Sequence, residues 1–117
     1  PVFCAITHDK NGQLLNTNAD TIASEVAIGM SNLYKTELNF VFELKGVLEN
    51  IEDKNSVIRE INSKKYEQLI AKGIIADGML PKMHNCFNSL KKGVSKVKIG
   101  DASLVNSSTK LYTTLSL

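Results

Sequence analysis

The feature that most constrains the fold is a repeated alternation between short apolar runs and longer stretches of helical periodicity. Short apolar runs bounded by glycine or polar residues are typical of strands, whereas apolar side chains three or four positions apart mark one face of a helix. The strand-like runs are 2–6, 38–44, 56–61, 94–99 and 110–115, and the helical stretches are 19–32, 63–72 and 79–92. Because strands that alternate with helices build layered sheets, the sequence predicts an α/β fold with a largely parallel sheet.

The first predicted helix has a face that can pack closely on a sheet. Ile22, Val26 and Met30 recur every four residues, beside a stripe of small alanines. Asn18 or Thr17 is expected to cap the start of this helix, because both side chains can accept a hydrogen bond from its first turn.

Turns and caps are predicted at several other places. The apolar run 2–6 reads as a buried strand, and Asn11-Gly12 after it predicts the turn of a hairpin. Ser63 is expected to cap the second helix, and Gly73 is expected to end it.

Length and composition exclude several classes of protein. The 117 residues are enough for a single domain, 1–117, with one core. Lys and Arg total 14 against 12 Asp and Glu, and this balance does not favour a nucleic-acid partner. No stretch approaches the roughly 18 apolar residues of a membrane span, and no signal peptide is visible. We therefore expect a cytoplasmic protein whose two cysteines, Cys4 and Cys86, are reduced and buried.

The start of the sequence predicts an incomplete chain. It opens at Pro1 and not at Met, so we expect either a piece of a longer chain or a processed start.

A first candidate site is the polar segment 16–20, where a strand end meets a helix start. Ligands of α/β sheets gather at the carboxyl ends of strands, and backbone N–H groups at a helix start favour anions. Asp20 would repel a phosphate directly, so it is expected to orient a cation or a metal. The alternative is plain helix capping, which Asn and Asp commonly perform.

A second candidate site is the segment 73–82, in which two glycines bracket an apolar pair and Lys82 falls in the first turn of the next helix. The helix dipole disfavours a lysine there. A phosphate nearby would reverse that cost, because Lys82 and the helix N–H groups would converge on one anion. The alternative is a connection between helices with an exposed lysine.

A third and weaker candidate site is the segment 42–48, a strand end followed by a turn at Gly46. Glu43 could hydrogen-bond a ribose or an adenine, and a solvated glutamate is the alternative. Neither a Walker A segment nor GxGxxG is present.

These segments occur in an order that resembles the acetylglutamate kinases of the amino acid kinase superfamily. NTNADTIASEVA is similar to that family's N-x-N-A-D segment, and FVFELKGVL is similar to its nucleotide-side strand and turn. YEQLIAKGIIADGMLPKMHNCFNSL closely resembles its helix, glycine loop and G-M-x-x-K helix. KVKIGDASL and STKL resemble its closing strands, so the resemblance runs from about Leu14 to Lys110.

The resemblance implies a three-layer αβα sandwich with a mainly parallel sheet, and it implies roles for individual residues. Asn16 matches the asparagine that binds the acylated amino acid. Asp20 matches the aspartate that holds the catalytic lysines, and Lys82 matches the lysine that binds ATP phosphate and stabilises the transferring phosphoryl group. The implied nucleotide-binding residues are Glu43, Gly46, Ile75, Gly78, Met79 and Lys82. The family uses ATP with Mg²⁺ as co-substrate, and the resemblance implies neither a metal ligand nor a tightly bound cofactor in this chain.

Two departures from the family pattern stand out. The family's turn usually begins Thr/Ser-Asp-Val, whereas this chain has Phe42-Glu43-Leu44. That variation and the NIEDKN segment resemble forms from Bacteroidetes, some of which resemble kinases acting on N-succinylglutamate. Family members are also longer. Their N-terminal half carries a second catalytic lysine, a phosphoryl-binding loop, most of the acyl-glutamate pocket and the dimer interface.

The resemblance therefore implies the nucleotide-binding half of a kinase, without the N-terminal substrate half. The predicted reaction transfers phosphoryl from ATP to the γ-carboxylate of N-acetyl- or N-succinyl-L-glutamate, in arginine biosynthesis, by an enzyme that is homo-oligomeric through the missing half. The alternatives are another amino acid kinase, of the glutamate 5-kinase or aspartokinase type, and a non-catalytic nucleotide-binding fragment. The chain alone is expected to be inactive.

Overall fold

The computed structural model describes residues 1–106, 108 and 110–117, and it confirms the predicted alternation of strands and helices. The strands are β1 (Ile6–His8), β2 (Leu14–Asn16), β3 (Glu37–Val41), β4 (Glu60–Ile61), β5 (Lys96–Gly100) and β6 (Thr113–Leu115). The helices are α1 (Ala19–Ser31), α2 (Ser63–Ala71) and α3 (Met79–Lys91), and a 3₁₀ turn covers Ala102–Leu104. The STKL segment includes Thr109, which lies outside the described residues.

The main sheet is mixed and mostly parallel, as predicted. Its strand order is β3-β5-β6-β4. Strands β3 and β5 pair in parallel, as do β4 and β6, while β5 and β6 are antiparallel. Strands β1 and β2 form a separate antiparallel hairpin, which confirms the turn predicted at Asn11-Gly12.

One face of the main sheet carries the core. Register places its buried side chains in line across neighbouring strands: Leu38, Phe40, Ile61, Val97, Ile99, Thr113 and Leu115. Helices α1, α2 and α3 contribute buried residues to the same core cluster. The opposite face is polar, with Lys98 and Glu37 paired at 2.5 Å. In the described part of the chain, the helices thus cover one face of the sheet. The predicted α/β fold class with a mainly parallel sheet is thus confirmed.

The helix ends follow local capping chemistry. The amide of Thr21 donates to the Asn18 side chain at 3.1 Å, so Asn18 caps α1. Asn62 caps α2 through Lys65 N–H at 2.8 Å, so the prediction of Ser63 was one residue late. Gly73 follows α2 at φ +70, a conformation that glycine adopts without strain. None of the described helices is long and apolar enough to cross a membrane.

The apolar run 2–6 was wrongly predicted as a buried strand. Val2 and Phe3 are exposed and lie outside regular structure, and the residues of β1 are exposed as well. An apolar run becomes buried only where another element packs on it, and the described elements leave this one open. The prediction that both cysteines are buried fails for the same reason, because Cys4 is exposed while Cys86 is buried.

The packing face of α1 also differs from the prediction. Ser24 and Ala27 are its buried residues, whereas Val26 and Met30 are exposed. Helix α1 lies against both α3 and β3. Small side chains let the backbones approach closely, so Ser24 and Ala27 face inward while Val26 and Met30 point away.

A buried hydroxyl joins the last strand to the segment between β3 and β4. The amide of Val47 donates to Thr113 Oγ1 at 2.8 Å, and the Thr113 hydroxyl donates to the Ile58 carbonyl at 2.7 Å. Thr113 is fully buried, so water cannot replace either bond.

We expect Thr113→Val to lower the free energy of unfolding by about 1–3 kcal/mol, because the substitution keeps the shape but leaves two buried backbone groups unpaired. Thr113→Ser retains the hydroxyl and is the matched control, with a smaller loss. Chemical denaturation of both variants measures the difference. Equal losses would mean that the methyl contact, and not the hydroxyl, stabilises this junction.

Candidate functional site

Short connections bring two helix starts to one edge of the sheet. Helix α1 ends at Ser31 and β3 begins at Glu37, while α3 ends at Lys91 and β5 begins at Lys96. Each helix therefore runs back along the strand that follows it, and its first turn lies at the carboxyl end of that strand. Helices α1 and α3 also pack against each other. This edge is where ligands of α/β sheets bind.

An ion pair joins the first turns of the two helices. Lys82 Nζ lies 2.7 Å from Asp20 Oδ2 and donates a hydrogen bond to it. The two side chains are 19% and 33% exposed, so solvent screens this pair less than a surface pair. The predicted contact between Asp20 and Lys82 is thus confirmed, although they are 62 positions apart in sequence.

Asp20 is not the residue that caps α1. The cap is Asn18, whose side chain accepts from Thr21 N–H. The carboxylate of Asp20 is directed instead to Lys82 on the neighbouring helix. The capping alternative for Asp20 therefore has no support in the geometry.

Two further side chains border Lys82. Its ammonium lies 5.1 Å from the centre of the Phe40 ring, within the range of a cation–π contact. Cys86 follows one turn later on α3 and is fully buried. Burial raises the pKa of the Cys86 thiol to about 12. At neutral pH the thiol is therefore uncharged, and Asp20 is the anion that Lys82 meets.

A cleft of about 460 Å³ opens beside the start of α3. It lies between the segment that follows β3 and the loop that joins α2 to α3. Its lining residues are Leu44, Gly46, Val47, Leu48, Glu49, Asn50, Ile51, Gly73, Ile74, Ala76 and Met79. The lining is mainly apolar with a few polar residues, as in sites that bind small molecules and cofactors.

Only some of the predicted nucleotide-binding residues line this cleft. Gly46 and Met79 line it. Ile75 is buried in the core beneath the loop, at 1% exposure. Gly78 precedes α3 and supplies no side-chain cap, and Glu43 is exposed at the end of β3, outside the lining.

Asn16, the predicted substrate residue, ends strand β2 and is exposed. It lies opposite Ile6 in the hairpin, four positions before Asp20. It does not line the cleft, so the structure separates the predicted substrate residue from most of the predicted nucleotide residues.

Sequence reasoning missed several residues of the site. Phe40 was assigned only to a strand, because an aromatic residue on a buried face carries no sign that a lysine will lie over it. Ile51 lines the cleft, in an irregular polar segment where no periodicity marks it. Leu48 and Ala76 line the cleft too, and they fall within the candidate segments 42–48 and 73–82. Among the described residues, no group of three His, Cys, Asp or Glu side chains is placed to hold a metal ion.

The sequence pattern of the Amino acid kinase family matches residues 1–101, most of the chain. The chain belongs to the amino acid kinase family. Curated members similar to it include an acetylglutamate kinase of Cytophaga hutchinsonii, 51% identical over 87% of this chain and 39% of that protein. Another, of Bacteroides thetaiotaomicron, is 47% identical over 90% of this chain and 41% of that protein. The resemblance drawn from the motifs is confirmed, and this amino acid kinase chain spans less than half the length of these relatives.

Solved structures agree with the amino acid kinase fold. The crystal structure of smu.665 from Streptococcus mutans UA159 has a TM-score of 0.75 and 29% identity, over 96% of this chain and 40% of that one. N-acetylglutamate synthase from Neisseria gonorrhoeae has a TM-score of 0.74 and 15% identity, over 96% of this chain and 26% of that one. At that identity, the second likeness shows the fold alone.

Proposed function

We propose that the chain is the nucleotide-binding half of an N-acetylglutamate kinase. The reaction is transfer of the γ-phosphoryl group of ATP to the γ-carboxylate of N-acetyl- or N-succinyl-L-glutamate. The observation that carries the proposal is the Asp20–Lys82 pair at two adjoining helix starts beside a cleft. The relatives named acetylglutamate kinase supply the reaction class.

The proposed nucleotide position follows from the lining of the cleft. The apolar side chains of Leu48, Ile51 and Met79 suit the two faces of an adenine ring. Gly46 lines the cleft, and the exposed Glu43, which follows β3, is proposed to bind a ribose hydroxyl. From there the phosphates extend toward the start of α3, where Lys82 lies.

Phosphoryl transfer asks mainly for positioning and charge stabilisation. Lys82 would meet the equatorial oxygens of the transferring group, where negative charge is spread in the transition state. Asp20 would fix the direction of the ammonium, so that little reorganisation is needed when the group moves. The acceptor is already a carboxylate, so the chain needs no general base. Asn16 is proposed to contact the acylated amino acid.

Mg²⁺ enters this proposal as part of the ATP substrate. Near the proposed phosphate position, Lys82 occupies the Asp20 carboxylate at 2.7 Å. Mg²⁺ is commonly held by substrate phosphates, water and one or two carboxylates. The donor set therefore fits an ion carried on the phosphates of ATP.

The chain is expected to bind ATP, and Lys82→Ala should weaken that binding by about 10- to 100-fold. A hydrogen bond to a charged group contributes about 1.5–3 kcal/mol, and each 1.4 kcal/mol is tenfold in affinity. The variant also leaves the Asp20 carboxylate unpaired beside the phosphates. Isothermal titration calorimetry with Mg²⁺–ATP measures the change.

Lys91→Ala is the matched control, because it removes the same side chain from the last turn of the same helix. It should keep the affinity for ATP. If Lys82→Ala and Lys91→Ala bind ATP equally well, the phosphates do not lie at the start of α3.

A further inference from the structure

Lys82 is restrained from two directions. Asp20 holds the end of the side chain at 2.7 Å, and the ring of Phe40 lies 5.1 Å below the ammonium. The lysine side chain has four rotatable bonds, so the ion pair alone leaves much of its path free. A second contact on the ammonium removes part of that freedom.

The ring of Phe40 is a rigid support. Phe40 is 5% exposed, belongs to the core cluster, and lies opposite Ile99 of the neighbouring strand. A ring packed in this way cannot follow the lysine when the lysine moves. The lysine must therefore adapt to the position of the ring.

An aromatic face and a carboxylate attract the ammonium in different ways. The carboxylate of Asp20 neutralises the charge that a phosphate would use, whereas the ring attracts the cation through its quadrupole and carries no net charge. A lysine held by Asp20 alone would be drawn away from an incoming phosphate. A lysine that also contacts the ring is held in position by a group without net charge. Its ammonium therefore stays available to bind the phosphate.

We infer that Phe40 is a positioning residue for ATP, whose ring face holds the Lys82 ammonium where the phosphates arrive. The inference rests on the proposed function, because it takes the nucleotide phosphates as the ligand of Lys82. Phe40 itself is not among the residues that line the cleft. If Phe40 served only to pack the core, any ring of the same size would replace it without loss of ATP binding.

The test replaces Phe40 with mono-, di- and trifluorinated phenylalanine. Fluorination leaves the ring almost the same size while it withdraws charge from the face, so packing is nearly kept and the cation–π attraction falls step by step. The affinities for Mg²⁺–ATP and for adenosine are measured on each variant. Thermal unfolding of each variant checks that the core is intact.

We expect the affinity for Mg²⁺–ATP to fall stepwise along the series, by about three- to tenfold at the trifluorinated ring. The affinity for adenosine, which has no phosphate, should change by less than about twofold. The same series in a Lys82→Ala background should be flat, because the ring then has no ammonium to hold. Phe40→Leu, which has no ring, should lower the affinity for Mg²⁺–ATP at least as much as the trifluorinated ring does.

A flat series in the unmodified background, with ATP binding still lost in Lys82→Ala, would overturn this inference and leave the proposed function standing. A parallel loss of ATP and adenosine would also overturn it, since Phe40 would then act by shaping the cleft. If ATP affinity does not depend on Lys82 at all, the proposed phosphate position fails, and the inference fails with it.

Discussion

Asp20→Asn is expected to leave the fold intact and to lower the turnover number by about 10²–10³, the usual cost of losing one preorganised charge contact in a transition state. Asn keeps the size and one oxygen of Asp20, but it removes the negative charge that fixes Lys82 at 2.7 Å. The ammonium then loses its orientation at the moment of transfer. Affinity for ATP should change little, because the loss of order is offset by the removal of an anion near the phosphates.

The chain aligns with only 39% of the Cytophaga hutchinsonii acetylglutamate kinase. The assay therefore uses a fusion protein in which this chain is joined to the remaining, unaligned part of that kinase. Steady-state kinetics and thermal unfolding are measured side by side. Asn18→Ala is the matched control, since Asn18 is the residue that caps the same helix. It should lower stability by about 1 kcal/mol and keep turnover. Normal kinetics with reduced stability in Asp20→Asn would make Asp20 a structural residue.

Gly46→Ala is expected to lower the free energy of unfolding by about 2–5 kcal/mol, from overpacking together with broken buried hydrogen bonds. A Cβ at this position would lie 2.7 Å from Thr113 Oγ1 and 2.7 Å from Val57 Cγ1. The hydroxyl cannot retreat freely, because it bonds both the Val47 amide and the Ile58 carbonyl. The Thr113 backbone nitrogen is a further obstacle at 3.1 Å.

Gly29→Ala is the matched control for that substitution. Gly29 lies in the last turn of α1, and a Cβ there would meet nothing within 4 Å. Alanine at this position should stabilise the protein by about 0.5–1 kcal/mol, because glycine is a poor helix residue. Urea denaturation compares the stability of Gly46→Ala and Gly29→Ala.

Gly46 also lines the cleft, so Gly46→Ala should weaken ATP binding as well. Unchanged stability in Gly46→Ala would mean that the segment around Gly46 can shift to accommodate the added methyl group.

The regular elements could be predicted because their periodicity is local. Helix α1 was predicted at 19–32 and is found at Ala19–Ser31, and α3 was predicted at 79–92 and is found at Met79–Lys91. Burial, in contrast, cannot be predicted from local periodicity. Periodicity does not say which face of α1 meets its neighbours, and Val26 was expected inside but is exposed. The apolar run 2–6 failed in the same way, since burial depends on which element packs against a strand.

In the candidate site, too, some residues could be predicted from the sequence and others could not. Asp20 and Lys82 could be paired from sequence only through the resemblance to the acetylglutamate kinases, and the fold shows that each opens a helix that leads into a neighbouring parallel strand. Their catalytic roles stay predictions until the variants are measured. Phe40 and Ile51 could not be found, because one is a core aromatic and the other lies in an irregular polar segment. Only the folded backbone brings them to Lys82 and to the cleft.

The strand order has a consequence for how the chain acquires its structure during synthesis. Strand β6 lies between β5 and β4, although it follows both in sequence. Until residues 113–115 leave the ribosome, the sheet exists as two unjoined parts, β3 with β5 on one side and β4 on the other. Long-range pairings of this kind form slowly, and incomplete sheets expose unpaired strand edges. The nascent chain is therefore open to chaperones and to aggregation until its last described strand is inserted.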